Sequence, residues 1–323
     1  LKKGKVAGTD EYIEGKAIIT GNGETITVSF AEATRKYSRL RIATLPNEQI
    51  TVDTEYFTPA GSSDMEQEGN YTLTSDEKGN AYLYGTFENN SEVTVKYREA
   101  ALTTYTFSQA TESAKSYALD ATVISANSAE EIKSAIEQKV ADGKTTIRLN
   151  LAPNAGTDEF MAIREAIKGA APNDEGTIEL TIIGVETIPE EAFKRMSQLK
   201  SVKMPDVKEI KKYAFRECQY LTVVEAPSLN KLNSGAFNEC YLLSKLTFGP
   251  INYADARYWS IFEDITPNID LILSDYQKEM IETDDDLYTA NNDTDYAFSP
   301  EHVSKNFLGH EFKSITCRRY RVE

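Results

Sequence analysis

At 323 residues and 40% hydrophobic content the chain is long enough for two domains with substantial cores. Its 35 Lys and Arg against 51 Asp and Glu leave a formal charge of -16, which repels nucleic acid and anionic lipid, and no basic run offsets it. No apolar run approaches the roughly 20 residues of a membrane helix, and two histidines, His302 and His310, both in the C-terminal tail, exclude most nucleophile-base-acid triads.

Residues 1–122 alternate apolar and polar side chains in short runs, "ETITVSF", "SRLRI", "AYLYGTF", "SEVTVKY" and "TTYTF". Turn-rich pieces such as "TGNG", "TPAGSSD" and "DEKGN" separate them. Alternation buries one face of each strand, and many such strands at this spacing predict an antiparallel β-sandwich. The pattern weakens through "ATESAKSYALDATVISANS", which places a boundary near residue 122.

Residues 123–323 follow other rules. Ser128 with Glu131 forms a capping box ahead of Ile132, Ile136 and Val140, and Gly143 closes that helix. A strand at "TIRLNL" precedes a second helix, with Phe160, Ile163 and Ile167 on one face, Asp158 and Glu159 in its first turn and Gly169 at its end. Then Phe193, Phe215 and Phe237 recur every 22 residues, as do Leu199, Leu221 and Leu243, and Ile188, Ile210 and Leu232. A 22-residue period with an L-x-x-L-x-L core falls in the leucine-rich repeat range. One unit cannot bury both sides of its apolar row, whereas stacked units can. Each repeat is expected to hold a short strand, a turn at Pro205 or Pro227, and a compact helical return carrying the Ala-Phe pair. An insertion follows residue 250. A strand returns at "IDLILS", and Ser299 and Pro300 open a short helix that Gly309 stops before a last strand. The expected fold is α+β in two domains: a sandwich over 1–122, then a solenoid with an N-terminal cap (123–185), repeats (186–250) and a closing cap (251–323).

The segments "IPEEAFKRMSQLKSVKMPDVKEI", "IKKYAFRECQYLTVVEAPSLNKL" and "LNSGAFNECYLLSKLTFG" resemble the BspA-like class of bacterial leucine-rich repeats, with its I-x-x-x-A-F-x-x-C-x-x-L-x-x-V rhythm. Met196 stands where that rhythm has cysteine, and "GHEFKSI" is similar to the end of such proteins. Through "YSRLRI" and "NYTLTSDEKGNAYLYG" the first 122 residues look like fimbrillin-like β-sandwich domains. The resemblance implies an extracellular, cell-surface adhesion or recognition protein without enzymatic residues or cofactor. It further implies a lipoprotein anchored to the outer membrane upstream of Leu1, and a chain opening on Leu1 rather than Met is expected to be a fragment or to have lost a leader.

Candidate chemistry is sparse. Cys218 and Cys240 share one repeat column, so they are either neighbours within disulfide reach or, the favoured reading, small buried thiols packed beside Met196. Cys317 stands beside two arginines, without a base or a pocket. Asn291, Asp293 and Asp295 have the alternate spacing of a calcium loop, but Tyr296 and His302 occupy the places of its glycine and bidentate glutamate, so a solvated acidic loop is favoured. Tyr82 and Tyr84 share a strand face, a pattern equally at home in a sandwich core. No catalytic, cofactor or metal site is expected.

The expected activity is binding of a host or bacterial surface protein, by a monomeric chain, through outward positions of the repeat sheet at Ser201, Lys203, Thr222 and Glu225. Two rival readings remain: a glycan-binding module built on Tyr253, Tyr258 and Trp259 of the insertion, and a fimbrial subunit without a ligand of its own.

Overall fold

The computed structural model describes residues 3–5, 12–21, 26–35, 37–98, 100–126, 128–171, 173–249, 251, 253–254, 261–262, 264–265, 267–274, 288–290, 303–307 and 310–318. The chain is mostly β with few helices and divides into two compact units, Leu1–Val123 and Ile124–Glu323. No helix among the described residues is long and apolar enough to cross a membrane.

The first unit contains β1 (Lys3–Lys5), β2 (Tyr12–Gly21), β3 (Ile26–Arg35), β4 (Ser38–Ala43), β5 (Gln49–Pro59), β6 (Glu66–Thr74), β7 (Asn80–Phe87), β8 (Glu92–Tyr97), β9 (Ala100–Thr106) and β10 (Ser116–Asp120). The first three form an antiparallel sheet, and the other seven are hydrogen-bonded into one curled sheet. The curl centres on β5, which the alternation of Ile50 and Val52 with polar residues supports. It pairs with β6 along one edge, and on the other with β8 over Thr51–Thr54 and β7 over Phe57–Pro59. Tyr56, between these two stretches, has φ 48°, a left-handed kink that redirects the strand. Phe57, Phe87 and Phe107 then meet in the interior, at 4.4 and 4.7 Å between successive ring centroids. Gly85 has to be glycine, because a Cβ there would lie 2.4 Å from the Phe57 ring and 2.3 Å from the Thr58 carbonyl. One pairing departs from the antiparallel expectation: β10 runs parallel to β4, with Tyr117 and Leu119 in register with Leu40 and Ile42, so it extends their buried row.

The second unit contains β11 (Ile124–Ser125), α1 (Ala129–Ala141), β12 (Thr146–Asn150), α2 (Thr157–Ala170), β13 (Ile178–Ile183), β14 (Thr187–Ile188), β15 (Leu199–Lys203), β16 (Glu209–Ile210), β17 (Val223–Ala226), β18 (Lys231–Leu232), β19 (Lys245–Phe248), β20 (Tyr253–Ala254), β21 (Asp270–Ser274), β22 (Tyr288–Ala290), β23 (Val303–Phe307), β24 (His310–Glu311) and β25 (Ser314–Arg318). Ser128 caps α1 by accepting from the Glu131 amide at 3.3 Å. At α2 the Glu159 carboxylate accepts from the Gly156 amide at 2.8 Å, and the helix runs through Gly169 to Ala170.

Each repeat has three sides. A long parallel sheet runs β11-β12-β13-β15-β17-β19-β21-β25, and a short one runs β14-β16-β18-β20. The third side overturns the expected helical return: it is a ladder of turns. The amides of Glu191, Phe193 and Arg195 donate to the carbonyls of Lys212, Ala214 and Arg216 on the next rung, at 3.1, 2.7 and 2.8 Å. Those of Tyr213, Phe215 and Glu217 repeat this toward Ser234, Ala236 and Asn238. A helix would have sent these donors back along its own chain. In a return of so few residues one helical turn does not repay its nucleation, so bonding to the neighbouring rung wins. Two residues of each turn, four apart, are accordingly left-handed: Glu191, Tyr213 and Gly235 in one column, Arg195, Glu217 and Glu239 in another, with φ between 56° and 64°.

Inside, Phe193, Phe215 and Phe237 stack at 5.2 and 5.4 Å, with Phe160 closing the column at one end and Phe262 continuing it at the other. Ile251 keeps the 22-residue step from Leu229, whereas Phe262 and Leu271 follow Phe237 and Leu246 by 25 residues, so the insertion lies between them and leaves the stack intact. The expected helix near Ser299 and Pro300 is also overturned, for Val303–Phe307 is a strand that pairs antiparallel with β22 and β24. Ser299, Pro300 and Gly309 themselves lie outside the described residues.

Phe215 is wholly buried between two rings. Phe215→Ala is expected to cost about 3–5 kcal/mol in equilibrium urea unfolding. An unchanged midpoint would remove the stack from the cooperative core.

Candidate functional site

The long sheet carries two outward rows. One runs Glu179, Ser201, Val223, Lys245, Asp270 and Ser314; the next runs Arg148, Thr181, Lys203, Glu225, Thr247 and Ile272. The inward positions between them, Leu180, Val202, Val224, Leu246 and Leu271, are fully buried, which fixes the outward direction of their neighbours.

Ser201, Lys203 and Glu225 stand together on β15 and β17, all partly exposed, with Lys203 Nζ 3.6 Å from the Glu225 carboxylate. Thr222 sits differently. It precedes β17, and its amide and hydroxyl both donate to the Lys200 carbonyl at 2.8 Å, so the outward place opposite Ser201 belongs to Val223. A one-residue offset suffices, because side chains on a strand alternate faces. Thr181, Thr247 and Ile272 are only 5%, 7% and 7% exposed, which narrows the accessible strip to the middle rungs. At the far end Asp270 accepts from Ser314 Oγ at 2.6 Å and faces Lys313 at 3.3 Å. The hydroxyl first, then the ammonium, holds its carboxyl below the ordinary range and therefore charged.

Tyr253 belongs by its backbone to β20 of the short sheet, opposite Lys231, so it does not share a sheet with Ser201, Lys203 and Glu225. Tyr258, Trp259, Asn291, Asp293, Asp295 and His302 lie outside the described residues. Among the described residues no group of three His, Cys, Asp or Glu is placed to hold a metal ion.

Cys218 and Cys240 are free and fully buried. Each thiol donates to the phenylalanine carbonyl of the preceding rung, Cys218 Sγ to Phe193 at 3.0 Å and Cys240 Sγ to Phe215 at 3.1 Å. Burial pushes the Cys218 thiol up to about 12 and that of Cys240 well above its ordinary value, so neither is a nucleophile. The side chain of Cys317 is outside the described set. Sequence reasoning missed the left-handed turn columns. Its one available signal was Gly235 in the place of Tyr213 and Glu191, since glycine alone adopts that geometry without strain.

Residues 178–273 match the family described as BspA type Leucine rich repeat region (6 copies). Five rungs of the long sheet, β13 to β21, begin within that stretch, and the resemblance read from the repeat columns is borne out. No curated protein and no solved structure matches the chain.

Two outcomes follow from this chemistry. In the folded chain Cys218 and Cys240 are expected to resist an aromatic disulfide reagent and to react only on unfolding; labelling of either in the native state would contradict their packing. The Glu217 carboxyl, held low first by the hydrogen bond from Arg195 Nε at 2.7 Å, lies below its unfolded value. Its stabilisation is therefore present above the unfolded carboxylate pKa of about 4.3 and is lost as pH falls through the folded value. Unfolding measured from about pH 6 down to about pH 3 should show a shallower acid limb for Glu217→Gln than for the wild type.

Proposed function

Taking residues 178–273 as a BspA type leucine-rich repeat region, we propose that the chain is a non-enzymatic recognition protein of the cell surface that holds a protein partner on the outward face of its long sheet. The observation that carries this reading is the half-exposed polar row at Ser201, Lys203 and Glu225, set on neighbouring strands about 4.8 Å apart. Such a row is preorganised, so a partner need not order a loop to meet it. Its charges alternate and already neutralise one another, which suits a partner with the opposite alternation and a contact strengthened by multivalency. An exposed ion pair contributes little to the fold, so these side chains are free to vary with the partner.

The two halves of the curled sheet, joined through the kink in β5, support reading the first unit as a sandwich-like spacer, and the two parallel sheets of stacked rungs support reading the second as a capped solenoid. An outer-membrane lipid anchor upstream of Leu1 would complete that arrangement. A second reading, a structural subunit that adds strands between copies, draws support from β6. Among the described residues this nine-residue strand pairs only with β5 and is open along its other edge. The glycan reading rests on Tyr253, Tyr258 and Trp259.

The test is a panel of matrix and cell-surface proteins beside a glycan array, probed with the purified chain. Exchanging the pair, Lys203→Glu with Glu225→Lys, preserves the ion pair and inverts its direction. Protein binding is expected to fall at least about tenfold, with the thermal midpoint unchanged. Binding that survives the exchange would remove the sheet from the interface. Glycan binding abolished by Trp259→Ala would replace the protein reading, and concentration-dependent polymers in place of ligand binding would favour the structural subunit.

A further inference from the structure

The two tyrosines that alternation assigns to one strand face, Tyr82 and Tyr84, stand on the outward side of β10-β4-β7 in the first unit. Leu40, Ile42 and Leu83 are buried on the inward side, which fixes the direction of their neighbours. Register sets the outward residues in rows across the three strands. Tyr84 and Arg39 share one row; Tyr82, Arg41 and Ala118 form the next; Asn80, Ala43 and Asp120 form the third. Neighbours within a row are about 4.8 Å apart, and successive rows are separated by two residues of rise, about 6.8 Å.

One end of this face is filled. The Tyr82 and Tyr84 rings stack at 6.4 Å with 26° between their planes, and the Arg39 guanidinium lies over Tyr82 at 5.5 Å. Tyr84 is only 6% exposed. The other end is open. Arg41 is exposed next to half-buried Tyr82, and among the described residues it has no hydrogen bond, ion pair or ring contact. Ala43 and Ala118 leave a low floor beside it, since neither carries a side chain longer than a methyl. Two ordered polar groups border that floor. Asn80 donates to the Asp76 carboxylate from its backbone amide at 2.8 Å and from Nδ2 at 3.3 Å, while Asp120 accepts from the Thr122 amide at 2.9 Å. The Asp76 carboxylate also takes the Lys78 amide at 2.9 Å, so it is engaged in its own turn. An outward arginine alone is ordinary surface chemistry. Here a permanently charged planar fork, an aromatic ring, an apolar floor and two fixed polar groups surround one small space, and such a set recognises a ring with an apolar face, hydroxyls and an anionic substituent.

We propose that Tyr82, Arg41, Asn80 and Asp120 form a binding site for a saccharide residue that bears a carboxylate, such as a uronate. The sugar lies over Ala43 with its C–H face against the Tyr82 ring, its carboxylate on the Arg41 guanidinium, and its hydroxyls on Asn80 and Asp120. Because the three strands hold these groups in register, binding orders no loop. The site shares no residue with the outward row of the long sheet or with Tyr253, Tyr258 and Trp259.

Calorimetric titration of the full chain with a hyaluronan hexasaccharide, and with the same hexasaccharide after reduction of its carboxyl groups to alcohols, tests the site. The wild type is expected to bind the acidic form at least about tenfold more tightly. Arg41→Gln should abolish that preference and leave the thermal midpoint unchanged, because Arg41 is exposed and its charge serves no partner in the fold. Tyr82→Leu keeps an apolar side chain on the strand but removes the ring, and it should weaken both forms. Trp259→Ala should bind as the wild type does, which separates this site from the glycan reading of the insertion. No binding of the acidic hexasaccharide, equal affinity for the two forms, or a preference that survives Arg41→Gln overturns the proposal. Binding lost in Trp259→Ala and kept in Arg41→Gln overturns it too, and moves saccharide recognition to the insertion.

Discussion

The register between rungs is the constraint on which the second unit depends. The first two turns each donate three amides to the next rung, each buried thiol donates to the phenylalanine carbonyl of the one before, and the phenylalanine rings stack along the same axis. These interactions run along the solenoid rather than around it, so no rung is complete alone. The left-handed residues are the cost: outside glycine such a backbone is worth roughly 1–2 kcal/mol of strain per residue, accepted because it aims alternate amides at the neighbouring rung. At Gly235 two demands coincide, for the position is left-handed and a Cβ there would meet the Tyr213 ring at 2.4 Å.

From that register the surface chemistry follows. Side chains 21 to 23 residues apart become neighbours, and the outward charges pair across rungs: Lys200 with Glu179, Lys208 with Glu186, Lys203 with Glu225, Arg195 with Glu217. An acidic chain thus presents a nearly neutralised polar face on its long sheet. The same stacking concentrates cations on the turn side, where α2 adds Arg164 to those of the first two rungs. Two surfaces of different chemistry arise from one repeat because its three sides draw on different columns.

In the first unit the corresponding constraint is the kink at Tyr56. Without it β5 could not pair with β8 over one half and β7 over the other, and Phe57 would not reach Phe87. Gly85 allows that approach by leaving room for the Phe57 ring. Strand positions such as β4, β7 and β8 were legible from alternation, whereas β10 was obscured, since its alanine and serine positions give little contrast and its parallel partner is remote in sequence.

By itself the sequence determined the period, the buried columns and the N-cap of α1, because apolar spacing and capping chemistry are local or strictly repeating signals. It identified the repeat family through the Ala-Phe and Cys columns, and it placed Ser201, Lys203 and Glu225 between apolar neighbours. Only the tertiary structure decided that the return is a ladder of turns, that Val223 rather than Thr222 completes the outward row, and that Val303–Phe307 is a strand. It alone revealed that Lys194, Lys212 and Arg216 gather round the Tyr213 ring. The reason is common to all four. Each depends on which distant backbone amide or side chain lies opposite, and hydrogen-bond partners and repelling charges are assigned by stacking rather than by the residues adjacent in the chain.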